Sequence, residues 1–148
     1  MHTHSHHSHH KDDGYIGTSV SATIHCLTGC AIGEFVGLAI GVSLGLSVLT
    51  TVTLATVLAF ITGYLFSLIP LMRGRKLSLL SAFKIIWLGE TISIAAMEIA
   101  MNVVAYYAGG MNATSVGDIT FWYGFALALI AGFIAGFPVN YVMIRRNL

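Results

Sequence analysis

The sequence predicts an all-α, polytopic membrane protein with four transmembrane helices and both termini in the cytoplasm. Three observations lead there. Hydrophobic residues make up 56% of the chain and charged residues only 9%, against about 25% charged in a typical soluble domain. Four apolar windows each reach the length of about 20 residues that a hydrocarbon core demands. The basic residues all fall on one side of a four-crossing path, which sets its direction.

Residues 1–19 read as a disordered His-rich tail, ahead of one transmembrane domain over 20–148. His2, His4, His6, His7, His9 and His10 alternate with Thr3, Ser5 and Ser8, a composition too polar to pack. No basic stretch leads into an apolar core and a cleavage site, so the tail does not read as a signal peptide. It reads either as an engineered tag or as a loose metal-gathering tail, and the broken spacing of its histidines favours the second.

The first helix is expected over Val20 to Leu46, the second over Leu49 to Leu71, the third over Ala82 to Tyr107 and the fourth over Ile119 to Ile144. So little separates the first two at Ser47-Val48 that they must form a tight helical hairpin. Met72-Arg73-Gly74-Arg75-Lys76 is a polar, basic linker. Ala108 to Asp118 is rich in turn formers and reads as the other clear loop. Four crossings place Lys11, Arg73, Arg75, Lys76, Lys84, Arg145 and Arg146 on one side, and these are all the basic residues of the chain. The positive-inside rule makes that side cytoplasmic. Tyr106, Tyr107, Phe121, Trp122 and Tyr123 suit the outer interfacial belt, and Phe83, Trp87 and Tyr141 the inner one.

The first helix carries Gly29, Gly33, Gly37, Gly41 and Gly45, and the fourth carries Gly124, Ala128, Gly132 and Gly136, with Asn140 on the same stripe. Small residues every fourth position let helix backbones approach closely where lipid supplies little hydrophobic drive. The spacing predicts that the first and fourth helices pack tightly, on each other or across an oligomer interface. Pro138 should bend the fourth helix.

Three of the six acidic residues, Glu34, Glu90 and Glu98, lie inside spanning windows. A carboxylate in lipid is costly, by about 2.5–3.5 kcal/mol on insertion scales, so it normally faces protein or water. Cys26, Cys30 and Glu34 follow one another at four-residue steps along one side of the first helix, with His25 beside them. Glu90, Ile94, Glu98 and Asn102 make a comparable stripe on the third. Each stripe spans about 12 Å from Cys26 to Glu34 or from Glu90 to Glu98. Facing each other, they would build a polar column past the midplane, with Cys26 level with Glu90 and Glu34 level with Glu98.

Thiolate and imidazole suit copper(I) or zinc, and carboxylates add affinity for harder divalent ions. The candidate metal ligands are His25, Cys26, Cys30, Glu34, Glu90, Glu98, Met97 and Asn102. Close carboxylates can also share a proton. The competing readings are structural: cysteines as small packing residues, Met97 and Met101 as core, Glu90 or Glu98 paired with Lys84 or Asn140, and the threonines of the second helix bonded to their own backbone. Two cysteines, four residues apart on one helix, cannot define a disulfide framework and point to free thiols or metal thiolates. No nucleophile elbow, phosphate loop or HExxH points to an enzyme, and the net charge of +1 gives no case for nucleic acid. A haem held by His25 would need a second axial ligand.

The string His25-Cys26-Leu27-Thr28-Gly29-Cys30-Ala31-Ile32-Gly33-Glu34, with Met97-Glu98 and Phe137-Pro138-Val139-Asn140, resembles a prokaryotic membrane-protein family described as domain of unknown function 4396. The resemblance covers Thr23 to Ile144 and implies a four-helix layout. The expected function is binding or transport of a metal cation, copper or zinc, with proton coupling as an added step. The alternative is a non-catalytic accessory subunit of a larger membrane complex. The expected partners are the lipid bilayer and further subunits, identical or different.

Overall fold

The computed structural model describes residues 9–76 and 78–146. Four helices follow one another: α1 (His9–Ser43), α2 (Val48–Arg75), α3 (Leu79–Tyr107) and α4 (Ile119–Arg145), with a single 3-10 turn at Gly110–Asn112. All four are long and apolar enough to cross a membrane, and no strand occurs among the described residues. Large side chains such as Ile61, Ile99, Ile130 and Ile134 project from the outside of the bundle, as a lipid-facing surface requires.

The helices overrun the windows that hydropathy outlines. α1 begins at His9, so the part of the expected tail from His9 to Ser19 is helical, while residues 1–8 lie outside the described residues. Thr18, Ser19 and Thr23 each return a hydroxyl hydrogen bond to the carbonyl four residues earlier, which lets polar residues join an apolar helix. The expected linker Met72–Lys76 is mostly the last turn of α2. Nothing there breaks a helix until Lys76, which adopts a left-handed φ of 51° and closes the end with its N–H on the Met72 carbonyl.

The N-termini of α2, α3 and α4 are capped by side chains of the kinds that favour that position. Ser47 accepts from the Thr50 N–H at 3.3 Å and Ser78 from the Ser81 N–H at 3.4 Å. Asp118 accepts from the Thr120 N–H at 3.0 Å, and that hydrogen bond holds its carboxyl below the usual aspartate range. Between α1 and α2 the chain turns within four residues, with Gly45 at a φ of 61° that only glycine adopts easily.

The glycine stripe of α1 lies against α2. A Cβ at Gly33 would stand 2.4 Å from the Leu58 carbonyl carbon, and one at Gly37 would stand 2.3 Å from the Ala55 Cα. α2 answers with its own small residues, Ala55, Ala59 and Gly63. The stripe of α4 lies against α3 and the 3-10 turn: Gly124 on Gly110, Gly132 on Met101 and Gly136 on Met97. The expectation that the first and fourth helices pack through these stripes, on each other or across an oligomer interface, is therefore corrected. Each glycine face is taken by its neighbour in sequence, with the four-residue turn setting α2 against α1. α1 and α4 still meet, through Leu27 beside Gly132, a hydrogen bond of 3.0 Å from Asn140 Nδ2 to Thr23 Oγ1, and edge-to-face contacts of Phe35 with Phe121 and Phe125.

Candidate functional site

The site begins where the sequence places its polar stripes. Helical periodicity sets Cys26, Cys30 and Glu34 on the inward face of α1, where they are 3%, 0% and 0% exposed. Ile94 and Glu98 of α3 are buried as completely, at 0% and 2%, and Glu90 is half-buried. The stripes do face each other. Cys26 Sγ lies 3.5 Å from Glu90 Oε2 as a thiol donor to the carboxylate, so the level inferred for that pair is the level observed. One turn deeper, the Cys30 thiol sits over Gly63 of α2 and beside Ile94 of α3; a Cβ at Gly63 would stand 3.1 Å from its sulfur. Both cysteines are free thiols.

Deeper still lie Glu34 of α1 and Glu98 of α3, both buried. Neither carboxylate oxygen of Glu34 has a hydrogen-bond partner among the described residues. Glu98 accepts at Oε2 from Asn102 Nδ2 at 3.3 Å, and its Oε1 has no partner. Asn102 Nδ2 also reaches Thr56 Oγ1 of α2 at 3.2 Å and the Glu98 backbone carbonyl at 2.8 Å. Asn140, one of the partners weighed for these carboxylates, bonds Thr23 of α1 instead.

His25 does not join the thiols. Neighbouring residues on a helix point about 100° apart, so with Cys26 inward the imidazole lies exposed on the flank facing α2. There Nε2 sits 2.7 Å from the Phe66 carbonyl. The cause is Pro70. Proline has no N–H, so the carbonyl four residues before it, that of Phe66, loses its helical donor. His25 supplies the missing hydrogen. A carbonyl only accepts, so in the neutral ring Nε2 carries the proton and Nδ1 keeps its lone pair. His25 also borders an open cleft of about 610 Å³, with Thr18, Ser21, Ser67 and Pro70 around it and Glu90 on its wall. Glu90 thus stands both on the wall of the cleft and against the Cys26 thiol.

Met97 was expected to add a thioether. Its Cγ, Sδ and Cε are packed onto Gly136 of α4, and Met101 Cγ and Sδ onto Gly132, so both serve the α3–α4 contact. Among the described residues, no three His, Cys, Asp or Glu side chains come together as ligands of one ion. The seam is a file of stations, each of one or two groups.

Two contributors, Pro70 and Gly63, were not singled out in the sequence, and a third, Thr56, was expected only to bond its own backbone. Pro70 positions His25, Gly63 makes room for the Cys30 sulfur, and Thr56 takes a hydrogen bond from Asn102. Pro70 had a legible signal in its four-residue offset from Phe66. Gly63 and Thr56 had none, because their roles exist only once α2 is set against α1 and α3. Thr62 does bond back to the Leu58 carbonyl at 2.8 Å as expected, and also reaches across to the Gly29 carbonyl of α1 at 2.6 Å.

The family model described as Domain of unknown function (DUF4396) matches residues 17–148, and the chain belongs to that family. The match covers all four spans and every residue of the seam. No curated protein and no solved structure matches the chain.

Proposed function

We propose that this DUF4396 protein binds a metal cation, copper or zinc, and passes it along the α1–α3 seam, with proton exchange at the deep carboxylates. The observation that carries the reading is Glu34: a fully buried carboxylate with both oxygens unpartnered among the described residues, on the same seam as Glu98, whose Oε1 also lacks a partner. A bare anion in such a place is too costly to persist, so a proton or a cation must neutralise it. The sequence of stations favours a soft metal. The cleft offers His25 Nδ1 and Glu90, the next level offers the Cys26 and Cys30 thiols, and the last offers Glu34 and Glu98. Thiolate and imidazole select copper(I) or zinc over magnesium or calcium.

Both termini are taken to be cytoplasmic, in the cell membrane, because the end of the bundle that holds the cleft also holds every basic residue. Metal would then meet the cleft from the cytoplasm. The accessory-subunit reading has less to draw on, since the glycine faces it would use for docking are spent inside the bundle.

Elemental analysis of the purified full chain tests the reading, with the six tail histidines replaced by alanine so that the tail contributes no metal. Stoichiometric copper or zinc is expected after loading and washing, and Cys26→Ala should lose it. Metal-free protein after loading, or unchanged content in Cys26→Ala, would overturn the reading.

A further inference from the structure

We propose that the lateral groove between α2 and α3 is a second site, which takes an amphipathic primary amine from the apolar phase around the bundle. α2 and α3 are tied together at one level, where the Tyr64 hydroxyl meets the Trp87 carbonyl at 2.8 Å and the Thr91 hydroxyl. Beyond that tie a hydrogen bond of 3.2 Å from Asn102 Nδ2 to Thr56 Oγ1 also joins them, beside a groove of about 450 Å³. Phe60, Ala95, Ile99 and Val103 make its walls apolar, and Thr56, Glu98 and Asn102 are its polar part. Ile99 and Val103 are largely exposed, so the groove opens on the outer face of the bundle.

The chemistry of the polar part is unusually restrictive. Glu98 Oε1 and Asn102 Oδ1 are both shielded and both lack a donor. The amide cannot simply turn over to cure this. Its Nδ2 donates to the Glu98 carbonyl, to Glu98 Oε2 and to the Thr56 hydroxyl; turning it would set oxygen against the first two, and only the hydroxyl could answer as a donor. Two acceptors on residues that line the groove are thus left without a donor, one of them on a carboxylate, with apolar walls beside them. Their complement has several N–H donors, one positive charge and a hydrocarbon body, which describes a primary alkylammonium. An alcohol of the same length brings one donor and no charge. A quaternary ammonium brings charge and no donor. The site shares Glu98 with the metal seam but uses no thiol, so either reading can fail alone.

Thermal unfolding of the full chain in nanodiscs, titrated with n-octylammonium, n-octanol or octyltrimethylammonium, tests it. A saturable rise in midpoint with n-octylammonium alone is expected, because a ligand that binds only the folded state stabilises it by mass action. Glu98→Gln keeps the side chain's shape and should weaken the amine response by about tenfold or more. Val103→Trp should fill the groove and remove the response while leaving bound metal unchanged. Cys26→Ala should do the reverse. Equal shifts with octanol, or an undiminished amine response in both Glu98→Gln and Val103→Trp, would overturn the proposal. So would the absence of any shift, including the case in which a second copy of the chain already covers the groove and a dimer appears on sizing.

Discussion

Pro70 shows how one residue can set the role of another 45 positions away. By withholding its N–H it leaves the Phe66 carbonyl open, and His25 fills the gap. The imidazole is therefore fixed in orientation and tautomer, with Nδ1 as its remaining ligand atom. His25→Ala should destabilise the folded protein by about 0.5–1.5 kcal/mol, the net worth of one hydrogen bond. The same substitution in a Pro70→Ala background should cost clearly less, because the helix then supplies its own donor. A double-mutant cycle in detergent reads that difference, and additive effects would show that Pro70 and His25 are not coupled. At Glu34 the expectation is opposite in sign. Glu34→Gln removes a charge that has no partner, so the thermal midpoint should hold or rise even as cation handling is lost.

Helix by helix, the glycine stripes give graded consequences. Gly37→Ala would set a Cβ 2.3 Å from the Ala55 Cα, backbone against side chain, and α1 and α2 must move apart. Gly136→Ala meets the Cε of Met97, the far end of a flexible side chain that can turn away. Gly14→Ala meets nothing within 4 Å. Gly37→Ala should therefore cost about 1–3 kcal/mol of stability, Gly136→Ala less, and Gly14→Ala nothing measurable. A reversed order in thermal unfolding would contradict the packing. The stripes themselves were legible in the sequence, since a glycine every four residues marks a flat helix face. Their partners were not. A flat face does not say which neighbour lies on it, and in the fold Gly37 meets Ala55 across the hairpin that the four-residue turn closes. The helix ends were blurred for a related reason: hydropathy marks where apolar residues stop, whereas α2 runs on through Arg73 and Arg75 until the backbone turns at Lys76.

Across the whole molecule, the two hairpins α1–α2 and α3–α4 close around one polar seam, with a cleft at its basic end. The register of that seam was readable in advance, because Cys26, Cys30 and Glu34 share one side of α1 and Glu90 and Glu98 one side of α3. The periodicity of two parallel helices fixes which residues can face. The isolation of Glu34 was not readable, because a missing partner is a property of three dimensions. Nor was the spread of the candidate ligands into separate stations: His25 went to a backbone carbonyl and Met97 to the α4 glycines. Stations of one or two ligands suit transfer better than storage, since a closed four-ligand site holds its ion. Cys30→Ser should accordingly weaken soft-metal binding while leaving the fold intact, because the hydroxyl fits the space over Gly63; equilibrium dialysis against zinc compares the two proteins.

The central claim is that the buried carboxylate of Glu34 is neutralised by a cation or proton in transit. Proteoliposomes carrying the full chain, with a zinc indicator and a pH indicator inside, test it most directly. The expected result is zinc entry with an accompanying proton movement, both abolished by Glu34→Gln in protein that inserts and folds normally. Vesicles no more permeable to zinc than protein-free ones, or a Glu34→Gln variant that conducts like the parent, would contradict it.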